Sequence, residues 1–321
     1  MARKVFIDGE AGTTGLQIRE RLAARDDLTL VSLPTGLRKD REARRERLNG
    51  ADAVILCLPD GAARDAVTLI ENPDIRVIDA STAHRVAAGW VYGFPEMTST
   101  QREAITSSKR VSNPGCFPTG FIALVRPLVE RGLIPASFPL TVNGFSGYSG
   151  GGRSMIEAFE NPAAPDRTVD AFRLYALPLA HKHVPEMRLH GLLSGRPLFA
   201  PAVGRWRQGM IVEVALHLRA LPGHPGLSDI HEALSAAYGG EAFVEVVARS
   251  RCATMESVEP ESLNGTNGMR LMVFGSQEHG QARLVALLDN LGKGASGAAV
   301  QNLNLMLGFA EGAGLDGAAP R

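Results

Sequence analysis

The chain has 321 residues, in which 34 lysines and arginines balance 34 aspartates and glutamates, so nothing in its net charge marks a general binder of nucleic acid or anionic membrane. Hydrophobic residues make up 45% and charged ones 21%, ordinary values for a globular protein large enough for two cores. Three widely spaced cysteines, Cys57, Cys116 and Cys252, form neither a disulfide framework nor a zinc pattern. No uncharged and predominantly apolar stretch approaches the roughly 20 residues that span a bilayer, and Met1-Ala2-Arg3-Lys4 leads into too short an apolar run for a signal peptide. A cytoplasmic protein is expected.

In chain order, Lys4–Asp8 reads as a buried parallel strand, the segment Gly9–Gly15 as a glycine-rich turn, and Leu16–Leu22 as a helix. Strand, turn and helix in that order form the phosphate-cradling unit of a dinucleotide fold, with Gly9, Gly12, Thr13, Thr14 and Gly15 against the cofactor. The spacing is G-x-x-G-x-x-G rather than the usual G-x-G-x-x-G. The second strand, Leu28–Leu33, ends in Ser32 and Leu33, where an NAD site normally carries a carboxylate. Arg38 and Lys39 follow. The missing acid and the nearby cations predict NADP(H), with Ser32, Arg38 and Lys39 on its 2′-phosphate. The more distal Arg44, Arg45 and Arg47 alternate with Glu42 and Glu46 and read as a solvated helix face. Ala53–Pro59 is a further strand whose end, at Cys57, Leu58 and Pro59, faces the cofactor, Cys57 chiefly as packing. Arg76–Asp79 repeats the pattern ahead of Ser81 and Arg85. Those two either bind a phosphate or carboxylate, or are a helix cap and a surface charge.

The chain is organised around Ser112–Gly120. There Cys116 sits on a Pro-Gly turn at the opening of an apolar helix covering 117–130. Unpaired N–H groups at such a helix start favour the thiolate and suit an oxyanion formed when the sulfur attacks a carbonyl. The run Asn113-Pro114-Gly115-Cys116-Phe117-Pro118-Thr119-Gly120 resembles the active-site signature of the N-acetyl-γ-glutamyl-phosphate reductase family, relatives of aspartate-semialdehyde dehydrogenase. The chain length is similar to the shorter branch of that family. The stretches Asp79–Arg85 and Tyr92–Glu96 resemble family segments as well.

The resemblance implies further site residues. After a strand from Leu140, the glycine- and serine-rich segment to Arg153 exposes many donors, unless it is a flexible linker. The family places it beside the substrate, which brings Ser146, Ser149 and Arg153 to the substrate together with Asn113. The run Tyr175–Glu186 is similar to the family's His-x-His…Glu motif. It implies His181 as the acid–base residue, His183 as second choice, Glu186 as orienter or substrate contact, and Tyr175 in the same pocket. Alternate histidines on a strand share one face, yet a zinc site is set aside, because acyl transfer to a thiol needs a proton shuttle rather than a Lewis acid. The small-residue turn and helix of 290–304 resembles the family's C-terminal motif, which implies Asn290, Lys293 and Gly294 beside the nicotinamide.

Antiparallel strands within 197–220, a helix Leu227–Tyr238 capped by Ser228, and strands at 243–247, 270–274 and 283–289 suggest an α+β half with an open mixed sheet. The expected architecture is a doubly wound Rossmann domain, 1–115, completed by a C-terminal helix at about 292–311 as the resemblance implies, with a catalytic and oligomerisation domain at 116–291 and a flexible tail at 312–321. A homo-oligomer, dimer or tetramer, is expected. The resemblance implies NADPH-dependent reduction of N-acetyl-γ-glutamyl phosphate through a Cys116 thioester, as in arginine biosynthesis. Competing readings are the same chemistry on a carrier-bound aminoadipyl phosphate of lysine biosynthesis or on aspartyl phosphate, and a cofactor-binding regulator with an inactive site.

Overall fold

Short runs of branched aliphatic residues build the first sheet. In the computed structural model, which describes residues 2–316, the chain divides into two units. The first runs to Pro95 and adds Ser99–Gly115 and Ala295–Leu315; the second holds Glu96–Thr98, Cys116–Gly294 and Asp316.

In the first unit, strands β1 (Arg3–Asp8), β2 (Leu28–Val31), β3 (Ala53–Leu56), β4 (Arg76–Asp79), β5 (Val91–Tyr92) and β6 (Arg110–Ser112) form one parallel sheet ordered β2-β1-β3-β4-β6-β5. All four residues of β3 are buried, as expected of a parallel strand covered on both faces. The helices are α1 (Thr13–Ala23), α2 (Arg41–Asn49), α3 (Asp60–Thr68) and α4 (Gln101–Ser107). The chain's last helix, Gly297–Leu307, also belongs here: its Ala299, Val300, Leu303 and Met306 share a core with Val5, Ile7 and Ile18. Strand order reverses at β1, and in doubly wound sheets the crevice at that reversal, outside the carboxyl ends of the strands, takes the ligand.

The second unit contains α5 (Cys116–Glu130), β7 (Thr141–Gly147), α6 (Gly152–Glu160), β8 (Phe172–Leu174), α7 (Val184–His190), β9 (Leu198–Gly204), β10 (Met210–His217), α8 (Leu227–Tyr238), β11 (Val244–Val246), α9 (Arg249–Cys252), β12 (Met269–Ser276) and β13 (Gln281–Leu288). Its strands make a seven-stranded mixed sheet ordered β11-β12-β13-β10-β7-β9-β8. Alternation along β13 sends Ala286 toward α5, where Gly120 leaves room for it, and sends Val285 and Leu287 into a core with Cys252 and Met272. Pro127 inside α5 has no N–H for the Ala123 carbonyl; the Tyr238 hydroxyl of α8 donates to that oxygen instead, at 3.0 Å.

Several local expectations change. The segment expected as a glycine-serine loop tightens into a 3₁₀ turn at Tyr148–Gly151 and continues as α6, where Met155 and Phe159 supply apolar side chains. The two histidines lie on no strand: His183 precedes α7 as its N-cap. Strands β9 and β10 run in opposite directions, as expected for 197–220, with β7 between them, parallel to β9 and antiparallel to β10. At α8 the Asp229 carboxylate accepts the Gly226 N–H, and Ser228 instead accepts a hydrogen bond from Arg249. Of the expected tail, residues 317–321 lie outside the described residues. Upstream of them the Ala313 carbonyl accepts from Arg25 and Asn304, so this part is held.

Candidate active site

The glycine turn of the first unit is shaped by what it excludes. Gly9 has φ +92°, and a Cβ there would stand 2.3 Å from the Cys57 carbonyl oxygen; one at Gly15 would stand 2.6 Å from the Gly9 oxygen. Side chains are thus barred where the loop closes on the end of β3. Gly12 is less crowded and serves as the N-cap of α1 without any side-chain cap, with Thr13 and Thr14 half-buried in the first turn. An uncapped helix start behind a bare backbone cradle fits a pyrophosphate. Beside it lies a cavity of about 470 Å³ whose lining includes Gly9, Glu10, Leu33, Arg38, Lys39 and Leu58, suited to the adenosine end of a dinucleotide.

Sequence reasoning missed two residues of this region, Glu10 and Arg44. Glu10, only 7% exposed, accepts hydrogen bonds from Arg19 (2.7 Å), Arg38 (2.8 Å) and Ser32 (2.9 Å). Arg44, expected on a solvated face, is nearly buried, pairs with Asp8 at 2.8 Å and lines the cavity. An acid inside a phosphate loop demands a cation nearby, and that mismatch was the available clue. Pro59 is the N-cap of α3. Burial, then the carboxylates of Asp79 and Asp8, push the Cys57 thiol up to about 12, so it stays protonated although the residue is not wholly covered.

Beyond β4, the Ser81 hydroxyl donates to Asp79 and accepts from the Ala83 N–H, while His84 meets Asp79 at 2.6 Å. Arg85 is buried, with Nε donating to the Asn113 carbonyl (2.9 Å) and Nη2 to that of Ala80 (3.1 Å). It is therefore no surface charge; it braces the turn that leads to Cys116. Asn113 is likewise engaged: its amide donates to the Ala295 carbonyl, and its side-chain oxygen accepts from Asn302.

In the second unit, Cys116 is the first residue of α5 and is partly exposed. A Cβ added to Gly294 would lie 2.7 Å from the Cys116 Cβ, so this bare glycine carbon forms part of the cysteine's seat. His181 packs edge-on to Phe199 (5.0 Å between centroids), His183 (4.7 Å) and Tyr175 (5.8 Å). The His183 backbone N–H donates to His181 Nδ1 at 3.1 Å, which puts the proton of the neutral ring on Nε2. Burial, then Lys182, pushes the His181 pKa down to about 4. Burial and then the neighbouring Cys116 raise that of Tyr175. His183 and Glu186 are buried in or beside α7.

Other expected residues are engaged structurally. Ser146 donates to the Gly147 carbonyl, and Ser149 accepts from Asn290, whose own side-chain oxygen accepts the Gly209 N–H. Lys293 is buried and paired with the equally buried Glu96 at 2.7 Å, which leaves the ammonium facing protein. Arg153 is exposed and has no partner among the described residues. Among those residues no helix is long and apolar enough to cross a membrane.

A parallel sheet with a glycine cradle at its switch point, and a mixed sheet bearing a helix-borne cysteine with a neutral histidine in the same unit, define the class of semialdehyde dehydrogenases. Residues 37–107 match the family "Semialdehyde dehydrogenase, NAD binding domain", and 116–290 match "Semialdehyde dehydrogenase, dimerisation domain". Among solved structures, aspartate semialdehyde dehydrogenase II of Vibrio cholerae, complexed with ASA, is similar at TM-score 0.72 and 14% identity, covering 96% of this chain and 98% of that one. The Candida albicans aspartate semialdehyde dehydrogenase with NADP is similar at TM-score 0.63 and 12% identity, covering 96% and 99%. At such identities the fold alone is shared. Sequence relatives narrow the class. N-acetyl-gamma-glutamyl-phosphate reductases of Brucella ovis and Brucella melitensis are each 55% identical over 96% of this chain and 100% of theirs. The chain belongs to the N-acetyl-gamma-glutamyl-phosphate reductase family, and its cofactor is a nicotinamide dinucleotide.

Proposed function

We propose that the protein reduces N-acetyl-γ-glutamyl phosphate with NADPH to N-acetyl-L-glutamate 5-semialdehyde and phosphate. The observation that carries this is Cys116 on the opening turn of α5, backed by the bare carbon of Gly294, in a chain 55% identical to reductases of that name. The sulfur attacks the acyl carbon; a C–S bond forms, the bond from the acyl carbon to the bridging oxygen breaks, and phosphate leaves with that oxygen and the electron pair. A bound reduced nicotinamide supplies the hydride that the thioester carbon accepts. The resulting alkoxide re-forms its carbonyl and expels the Cys116 thiolate, which the helix N-terminus stabilises.

His181 enters this scheme as a neutral ring carrying its proton on Nε2, a donor for negative charge developing on the carbonyl oxygen or the departing sulfur. Full transfer of that proton would leave an imidazolate, so the hydrogen bond itself is the contribution. Arg153, exposed and without a partner among the described residues, is a cation for a carboxylate or phosphate of the substrate. Arg85, Asn113 and Asn302 position the turn before the nucleophile rather than touch substrate.

Preference for NADP is supported by Ser32 in place of an acid at the end of β2, and by Arg38 and Lys39 at the cavity. Self-association is supported by the dimerisation-domain match and by the uncovered apolar side chains around edge strand β8: Val169, Phe172, Leu174, Leu177 and Leu179. The test of the reaction is NADP⁺- and phosphate-dependent oxidation of N-acetylglutamate 5-semialdehyde by the wild type and by Cys116→Ala. Loss of turnover with retained NADP⁺ binding is expected; full turnover in Cys116→Ala would end the covalent scheme.

A further inference from the structure

We propose that the Glu10 carboxylate occupies the subsite of the cofactor's 2′-phosphate, so that Glu10 and Arg19 together set the preference between NADP⁺ and NAD⁺. The inference rests on the dinucleotide reading of the first unit. A negative side chain in a phosphate-cradling loop opposes the ligand's own charge, so its presence needs a reason. Here the carboxylate turns away into three donors: Arg19 Nη1, Arg38 Nη2 and the Ser32 hydroxyl. Those donors stand at the end of β2, where the ribose 2′-substituent lies in doubly wound folds. Carboxylate and phosphate oxygens call for the same fork-shaped donors.

One donor remains unmatched. Arg38 Nε is buried and has no hydrogen-bond partner among the described residues. The two oxygens of Glu10 leave that N–H unanswered, whereas the three oxygens of a phosphate can meet Nε as well as Nη2. Arg19, half-exposed beside Glu10, supplies a second cation and also reaches Ser32 at 3.4 Å. Glu10 has the opposite value for NAD⁺, because a carboxylate at this place accepts the free 2′-hydroxyl. It therefore holds the cationic subsite together, favours the unphosphorylated ribose, and must yield its donors before a 2′-phosphate binds.

The experiment is titration of NADP⁺ and NAD⁺ onto the whole protein, followed by calorimetry or fluorescence, for wild type, Glu10→Gln and Arg19→Ala. Glu10→Gln is expected to tighten NADP⁺ relative to NAD⁺ by about tenfold, the effect of removing one like charge from a partly solvated contact. Arg19→Ala should weaken NADP⁺ and leave NAD⁺ within about twofold, and it reads the same subsite if Glu10→Gln fails to fold. An unchanged or lowered NADP⁺/NAD⁺ ratio in Glu10→Gln, or equal loss of both nucleotides in Arg19→Ala, overturns the proposal. The NADP reading fails separately, if the wild type binds NAD⁺ as tightly as NADP⁺ and Arg38→Ala with Lys39→Ala weakens both alike.

Discussion

Gly294→Ala adds one methyl group where the Cys116 Cβ is 2.7 Å away, the Cys116 Cα 3.2 Å and the Asp289 carbonyl oxygen 3.1 Å. None of these atoms is the far end of a flexible side chain. Asp289 cannot retreat easily, since its carbonyl accepts the Gly294 N–H and its buried carboxylate is held by Gln208, Gly265 and Leu291. Relief must come from moving the first residue of α5. Overpacking of this kind costs about 1–3 kcal/mol. A displacement of the nucleophile approaching 1 Å costs roughly 100-fold in rate. The expected outcome is a modest fall in Tm, a fall in kcat of about two orders of magnitude, and slower alkylation of Cys116 by iodoacetamide. The comparison variant is Gly195→Ala, whose Cβ would meet nothing within 4 Å. Gly294→Ala with kcat and alkylation rate within twofold of wild type would refute the argument that this glycine seats the cysteine.

Lys293→Met removes the cation that the buried Glu96 carboxylate meets at 2.7 Å and should destabilise by about 3–5 kcal/mol, read from the denaturant midpoint, with NADP⁺ affinity unchanged. The double variant Lys293→Met with Glu96→Leu should recover most of that loss; a weakened cofactor without lost stability would refute the structural role. His181 has its folded pKa lowered from 6.5 to about 4, so between those values the unfolded chain binds a proton that the native ring refuses. Stability from this group is full above pH 6.5 and declines as pH falls toward 4. Wild type should therefore lose more stability from pH 7 to pH 5 than His181→Gln does, and equal losses in urea unfolding would contradict the buried neutral ring.

The parts legible in the chain are those carried by neighbouring residues. The glycine turn after β1 announces itself because the residues that close it lie within seven positions, Gly9 to Gly15, and steric exclusion by the Cys57 carbonyl acts on that same short run. Cys116 at a helix start is legible for the same reason: turn, nucleophile and apolar helix are contiguous. Apolar run length likewise signalled β1, β3 and β4. Short elements such as β5, α4 and β6 carry too few residues to show a period.

What the tertiary structure decided is which polar groups meet. Glu10 finds Ser32 and Arg38, 22 and 28 positions away; Lys293 finds Glu96 across 197; Asn302 finds Asn113 across 189. A buried charge or amide must be matched by a partner, yet the identity of that partner depends on where strands and helices come to rest. Hence the ion pair of Lys293 with Glu96 has no sign in the chain, while Arg44 reads as a solvated charge and lies in the cavity wall. Local sterics act between neighbours along the chain, whereas desolvated charge is satisfied across space.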